Sequence, residues 1–152
     1  MTQLHKIITE QEQTLHATQT GTHTHALLAK IHLSHQTTDP KTIELISKIK
    51  QSPELIELFS ENSKSEVPIA GTINSRFISR RIDRLLIDDT NKTIKILDYK
   101  TDTDTDIRKN SYIAQINEYA QLLRAIYPTY KIFGYILWTH NFLLENIHIK
   151  AV

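Results

Sequence analysis

The apolar positions change period partway along the chain, and that change divides it. Residues 1–19 are polar and rich in Gln and Thr, with a short helix expected over Leu4–His16. Thr20-Gly21-Thr22 then reads as a stop and a new start, Gly closing one element and Thr able to cap the next. His25, Leu28, Ala29 and His32 fall at helical spacing and predict a helix over about 22–34. Asp39-Pro40 marks a turn with Pro40 in a first helical turn. Ile43, Leu45, Ile46 and Ile49 follow on one helical face, and Ser52-Pro53 opens a short helix through Leu55, Ile56 and Phe59. From Ser65 the pattern becomes extended and β-branched through Ile87, and Asp88-Asp89-Thr90-Asn91 reads as a turn between strands. Thr93–Asp98 alternates, Thr101–Asp106 is a polar loop, and Ile113, Ile116, Tyr119, Ala120, Leu122, Leu123 and Ile126 trace a long helix stopping before Pro128. Strands are expected over Tyr130–Thr139 and Leu144–Ile149. The order is helices, then β-β-β-α-β-β, and the helix between strands three and four allows a parallel crossover in a mixed sheet. The expected organisation is one domain over 1–152: a polar segment 1–19, a helical part 20–64, and a sheet with crossover helix over 65–152.

Composition narrows the chemistry by exclusion. With no cysteine, disulfides, thiolate zinc and iron–sulfur clusters are all ruled out. Three glycines and no G-x-x-x-x-G-K leave no phosphate loop. No apolar run approaches a membrane span, and the first ten residues lack the pattern of a signal peptide. A formal charge of +1 gives no global basic field, so contact with DNA must come from local patches or from metal ions.

The chemistry that remains is concentrated in Ile96-Leu97-Asp98-Tyr99-Lys100, preceded by Asp83 and Glu66 on neighbouring strands. Side chains at i and i+2 share a strand face, so Asp98 and Lys100 emerge together. Carboxylates of this kind can hold a divalent cation that activates a water against a phosphodiester, and a lysine beside them can orient that water. Other clusters read less well. Asp102, Asp104 and Asp106 copy the start of an EF-hand, but Ile107 stands where Gly is needed and Ile113 where Glu is needed, so a solvated loop whose last Asp or Thr caps the next helix is expected. His25 and His32 share a helix face but lie about 10 Å apart along the axis, too far for one zinc ion. Arg76, Arg80 and Arg84 share strand parity, while Arg81 falls with Asp83. That count makes Arg81 the phosphate candidate and divides Arg80 and Arg84 evenly between a solvated edge and a phosphate contact.

From Gly21 to about Ile147 the chain resembles the PD-(D/E)XK nuclease superfamily, and within it the C-terminal nuclease domain of AddA/RecB-type helicase–nucleases. The resemblance rests on five motifs in the family's order. They are Gly21-Thr22-His23-Thr24-His25-Ala26-Leu27-Leu28, Glu66-Val67-Pro68-Ile69, Ser79-Arg80-Arg81-Ile82-Asp83-Arg84-Leu85, Ile96-Leu97-Asp98-Tyr99-Lys100-Thr101 and Tyr112-Ile113-Ala114-Gln115-Ile116-Asn117-Glu118-Tyr119. It implies an α/β fold with a restriction-endonuclease-like αβββαβ core, a central mixed sheet flanked by helices and extra N-terminal helices. It implies a Mg²⁺-dependent deoxyribonuclease (Mn²⁺ able to substitute) of exonuclease type in DNA repair and recombination. His25, Asp83, Asp98 and the Tyr99 carbonyl would hold metal, and Lys100 would position the water. Gln115 and Tyr119 would support the site, with Glu66 as an acid at its edge. Arg81, Arg80, Tyr112 and Gln115 would face DNA. Expected partners are DNA and a helicase domain or subunit, in the cytoplasm and away from membranes. The rival expectation is a catalytically silent module that binds DNA ends or docks a subunit. Two departures stand out: Arg80 occupies a position that is commonly Gly in the family, and no ATPase motif is present, as in an excised domain or a stand-alone relative.

Overall fold

The computed structural model describes residues 23–103 and 106–151. The expected helix over Leu4–His16 and the Gly21-Thr22 start lie outside the described residues. The described part of α1 covers residues 23–30. Then come α2 (Pro40–Ile49), α3 (Pro53–Leu58), β1 (Ser63–Ile73), β2 (Arg76–Asp88), β3 (Thr93–Lys100), α4 (Lys109–Ile126), β4 (Lys131–Trp138) and β5 (Leu143–Ile147). The five strands form one sheet in sequence order. Only β3 and β4 are parallel, joined through α4, so the sheet is mixed as the helix between them requires.

Local chemistry accounts for most of the boundaries. Asp39 caps α2, its Oδ2 accepting from the Thr42 N–H at 2.9 Å, and Pro40 opens the helix where no N–H is needed. Ser52 and Pro53 repeat the arrangement on α3. β1 and β2 are joined through Asn74-Ser75, both at positive φ (50° and 63°), the backbone of a two-residue turn that matches strand twist.

Two expectations are corrected. α1 ends at residue 30 rather than 34, because the Leu28 and Ile31 carbonyls are taken by the Arg84 guanidinium and the chain turns at His32–His35. α4 starts at Lys109, and its N-cap residue is Arg108, with no side-chain cap from an Asp or Thr. Asp102 instead accepts a hydrogen bond from the Tyr112 hydroxyl.

The sheet separates two cores. On one face α4 covers Ile69, Ile78, Ile82, Leu85, Ile94 and Ile96 with Tyr119, Ala120, Leu122 and Leu123. On the other, α1, α2 and α3 bring Leu28, Ile49, Leu55, Leu58 and Phe59 against Leu97, Tyr99, Tyr135 and Leu137. Among the described residues no helix is long and apolar enough to cross a membrane.

One irregularity shapes everything near the site. β1 and β2 pair continuously from Ser63↔Leu86 to Ser65↔Arg84 and again from Val67↔Ile82 to Ile73↔Arg76, but Glu66 and Asp83 between them are unpaired. Glu66 has φ 54°, left-handed backbone that a side chain disfavours. Ile82 and Leu85, three residues apart, both enter the α4 core, whereas a regular strand would place them on opposite faces. Both strands therefore switch faces at Glu66–Asp83.

Candidate active site

The face switch lies where β2 leaves β3. Pairing between these strands runs from Asp88↔Thr93 to Arg84↔Leu97 and stops. Two residues on, the Tyr99 amide of β3 donates to Asp83 Oδ2 at 2.9 Å, so a side chain replaces the ladder at the point where the strands part. Asp83 is thereby held beside Asp98. Burial first, and the Asp98 carboxylate second, push the Asp83 carboxyl up to about 8, against the lowering effect of the Tyr99 hydrogen bond.

Asp98 is buried, its side chain only 3% exposed. Its Oδ2 lies 2.7 Å from Lys100 Nζ, an ion pair, yet the two are not aligned as donor and acceptor, and this buried oxygen has no hydrogen-bond partner. Lys100 Nζ donates instead to Gln115 Oε1 at 3.0 Å and sits 4.3 Å from the centre of the Tyr112 ring. Behind Gln115 a relay fixes its amide. The Tyr119 hydroxyl donates to the Arg81 carbonyl (3.3 Å) and so accepts from Gln115 Nε2 (2.8 Å), which turns Gln115 Oε1 toward the lysine. Burial and then the charges of Asp98 and Asp83 raise the Tyr119 phenol, keeping it a donor.

His25 approaches from α1. Its Nδ1 is 4.0 Å from Asp83 Oδ2, and its ring meets Tyr99 edge-on at 5.4 Å. Burial is the largest influence on His25 and lowers it, favouring the neutral, ligating form. Among the described residues no set of three His, Asp or Glu side chains stands ready-assembled as a metal cage. The donor chemistry nevertheless suits a hard divalent ion. Two carboxylates converge beside a lysine, and Mg²⁺ keeps several of its own waters.

The remaining expected residues spread outward. Glu66 lies at the rim, its Oε2 3.5 Å from Arg81 Nη1, with the Arg81 side chain 69% exposed. Arg80 turns to the α4 face and pairs with Glu118 at 2.8 Å, so it is anchored away from the carboxylates. Tyr112 packs between Lys100 and Trp138.

Arg84 is the residue that strand parity misplaces. It is no solvated edge: it is fully buried, on the α1 side, because the face switch falls just before it. Its guanidinium donates to Tyr99 Oη (2.9 Å), Ser63 Oγ (2.7 Å), Leu28 O (2.9 Å) and Ile31 O (2.8 Å), and it lies 4.2 Å from the centre of the Phe59 ring. These bonds tie the end of α1, which carries His25, to the strand that carries Asp98. The surrounding apolar run of Ile82, Leu85, Leu86 and Ile87 is the sequence signal for its burial.

No family model matches this chain, and no curated protein does. Among solved structures it is similar to the crystal structure of SSO0001, with a TM-score of 0.46 at 15% identity. The match covers 76% of this chain and 55% of the other, so the chain spans about half the length of that structure.

Proposed function

We propose that this chain is a metal-dependent deoxyribonuclease domain with a restriction-endonuclease-like core, the nuclease module of a helicase–nuclease of the kind its motif order resembles. One observation carries the reading: two acids and a lysine are gathered where β2 and β3 part, with the buried Asp98 carboxylate paired to Lys100 at 2.7 Å and Asp83 held beside it.

Asp83, Asp98 and His25 would hold Mg²⁺, with the Tyr99 carbonyl beside them. When bound, the ion supplies Lewis-acid polarisation of the phosphate and a lowered pKa for its water. The chain's own residues do the rest. Lys100 has three N–H donors. Gln115 takes one and the Asp98 carboxylate, 2.7 Å away, faces another, so one donor would remain to hold a water in line for attack and to face the charge that grows on the phosphoryl oxygens. Gln115, fixed by Tyr119, stops the flexible lysine stem from wandering. Tyr112 covers one side of the ammonium and screens it from solvent.

The test is cleavage of labelled DNA in Mg²⁺ or Mn²⁺ by the full chain and by Asp98→Ala and Lys100→Ala variants, with EDTA as control. Loss of about 10²-fold or more in each variant is expected from removing a ligand or a charge-stabilising donor. Cleavage that persists in a clean Asp98→Ala preparation rules the assignment out.

A further inference from the structure

Asp98, Lys100 and Asp102 follow one another at intervals of two, and the third of them stands two residues past the end of β3. There Asp102 accepts a hydrogen bond from the Tyr112 hydroxyl, so the chain leaving β3 is tied at once to α4. Tyr112 and Gln115 are three residues apart on that helix and therefore neighbours on its surface. Both meet the same ammonium. Lys100 Nζ lies 3.0 Å from Gln115 Oε1 and 4.3 Å from the centre of the Tyr112 ring. With Asp98 Oδ2 at 2.7 Å, the ammonium is bounded by a carboxylate, an amide and a ring.

The ring does what neither polar neighbour could. Asp98 and Gln115 face two of the three N–H donors, and a further polar acceptor in the ring's place would take the last. An aromatic face attracts the cation as a whole through its quadrupole, so it fixes Nζ on its flexible four-carbon stem and leaves a donor for another oxygen. Tyr112 is itself held at both ends. Its ring packs on that of the buried Trp138, 6.1 Å between centres, and its hydroxyl is fixed by Asp102. Burial, and then the hydrogen bond to Asp102, raise the Tyr112 phenol, so it stays protonated and goes on donating. With its hydroxyl and its ring both committed inside the protein, Tyr112 has little left for a DNA strand, the role that the motif order gives it.

We propose that Asp102 and Tyr112 are positioning residues for Lys100: Asp102 fixes the phenol, and the ring holds the ammonium against Asp98 and Gln115 with one N–H directed into the site. The proposal rests on the nuclease reading for its reaction and gives a part in it to Asp102, which none of the five motifs contains. Because the ring acts through the lysine and not on the polymer, its loss slows the chemical step and leaves DNA binding as it was. A Tyr112 that faces DNA shows the opposite division.

The experiment measures kcat and KM for cleavage of labelled DNA in Mg²⁺ by the full chain and by variants whose melting curves match the wild type. Tyr112→Leu is expected to lower kcat about 10- to 100-fold at constant KM, the cost of a misplaced catalytic group. Tyr112→Phe and Asp102→Ala each remove the one hydrogen bond and should lose about 2- to 10-fold, with no further loss in the double variant. Asp102→Asn keeps an acceptor and should recover most of the rate lost in Asp102→Ala. In a Lys100→Ala background, Tyr112→Leu should cost nothing more. A second readout needs no cleavage. The Lys100 side chain lies over the ring, so in EDTA its terminal methylene protons should show an upfield ring-current shift by NMR, kept in Tyr112→Phe, reduced in Asp102→Ala and lost in Tyr112→Leu. A raised KM at constant kcat in Tyr112→Leu overturns the proposal, as does an equal loss with and without Lys100. Asp98-dependent cleavage with an indifferent Tyr112 sinks the positioning role alone. A wild type that cleaves nothing sinks the nuclease reading, while a ring-current shift that depends on Asp102 still upholds the hold on the lysine.

Discussion

Replacing Arg84 by Met keeps an apolar stem in place and removes the guanidinium. Four hydrogen bonds of 2.7–2.9 Å disappear with it. Ser63 Oγ still donates to the Ser60 carbonyl and Leu28 O still receives the Ile31 N–H, so these two groups are partly provided for. The Ile31 carbonyl and the acceptor side of the Tyr99 hydroxyl are not. Two fully orphaned groups and two weakened ones, at ~1–3 kcal/mol for each buried polar group left unpaired, predict a loss of about 3–5 kcal/mol after relaxation. Against a typical net stability of ~5–15 kcal/mol, that is a large fraction, and it corresponds to a fall of roughly 10 °C in Tm for a chain of this size. Arg84→Lys keeps the charge, but one ammonium cannot reach the α1 carbonyls and Tyr99 together, so it falls between the two. Urea unfolding followed by circular dichroism in EDTA gives the values, with m unchanged if the unfolded states match. A double-mutant cycle with Tyr99→Phe should show coupling of about 1 kcal/mol or more. A loss below ~1 kcal/mol in Arg84→Met would mean that desolvating the guanidinium cancels its hydrogen bonds, as happens for some buried ionic groups, and the view of Arg84 as the pin between α1 and β3 would be wrong.

Two further outcomes follow from the same geometry. In EDTA the folded chain holds on Asp83 a proton that the unfolded chain releases near 3.8, so the folded state binds more protons between about pH 4 and 8. Stability should therefore fall as pH rises through that window and level off above it, and Asp83→Asn should flatten this limb and raise stability at neutral pH by an amount on the order of a few kcal/mol. An unaltered pH profile in Asp83→Asn would refute it. A methyl group on Gly134 would meet Ile116 Cγ2 at 2.6 Å and Ile149 Cδ1 at 2.8 Å, so Gly134→Ala should lower the urea midpoint by the equivalent of ~1–3 kcal/mol; a midpoint equal to that of the wild type would show that α4 can retreat from β4.

What could be read in advance follows from regularity. Asp98 and Lys100 lie on a strand that keeps its period, so spacing alone brings them within 2.7 Å of each other. Gln115 and Tyr119 lie one helical turn apart and meet as that spacing requires. The caps at Asp39 and Ser52 announce themselves by residue type beside proline. Arg84 escaped because parity counting assumes an unbroken pleat. Nothing in the composition of Glu66 or Asp83 marks a break: there is no Gly, and a glutamate in left-handed backbone is a tertiary outcome, imposed by what the two strands must cover on either side. The end of α1 escaped for a related reason, since the residues that stop it are carbonyls bound by a side chain more than fifty positions away.

The break itself links the two features that the chain's chemistry depends on. A hairpin that kept its alternation through Glu66 and Asp83 would carry one face unchanged from the sheet to the turn. Arg84 would then share the face of Ile82 and meet α4 rather than α1, and its bonds to Leu28, Ile31 and Tyr99 would have no route. Pairing of β2 with β3 could also continue past Arg84, leaving the Tyr99 amide to the ladder and Asp83 without the hydrogen bond that holds it beside Asp98. Switching faces once gives the acids an opening between strands and sends a cation inward to brace the helix that carries His25. The unfavourable φ at Glu66 costs on the order of 1 kcal/mol, small beside the several kcal/mol expected from Arg84 alone, so the fold can sustain the distortion that its candidate site requires.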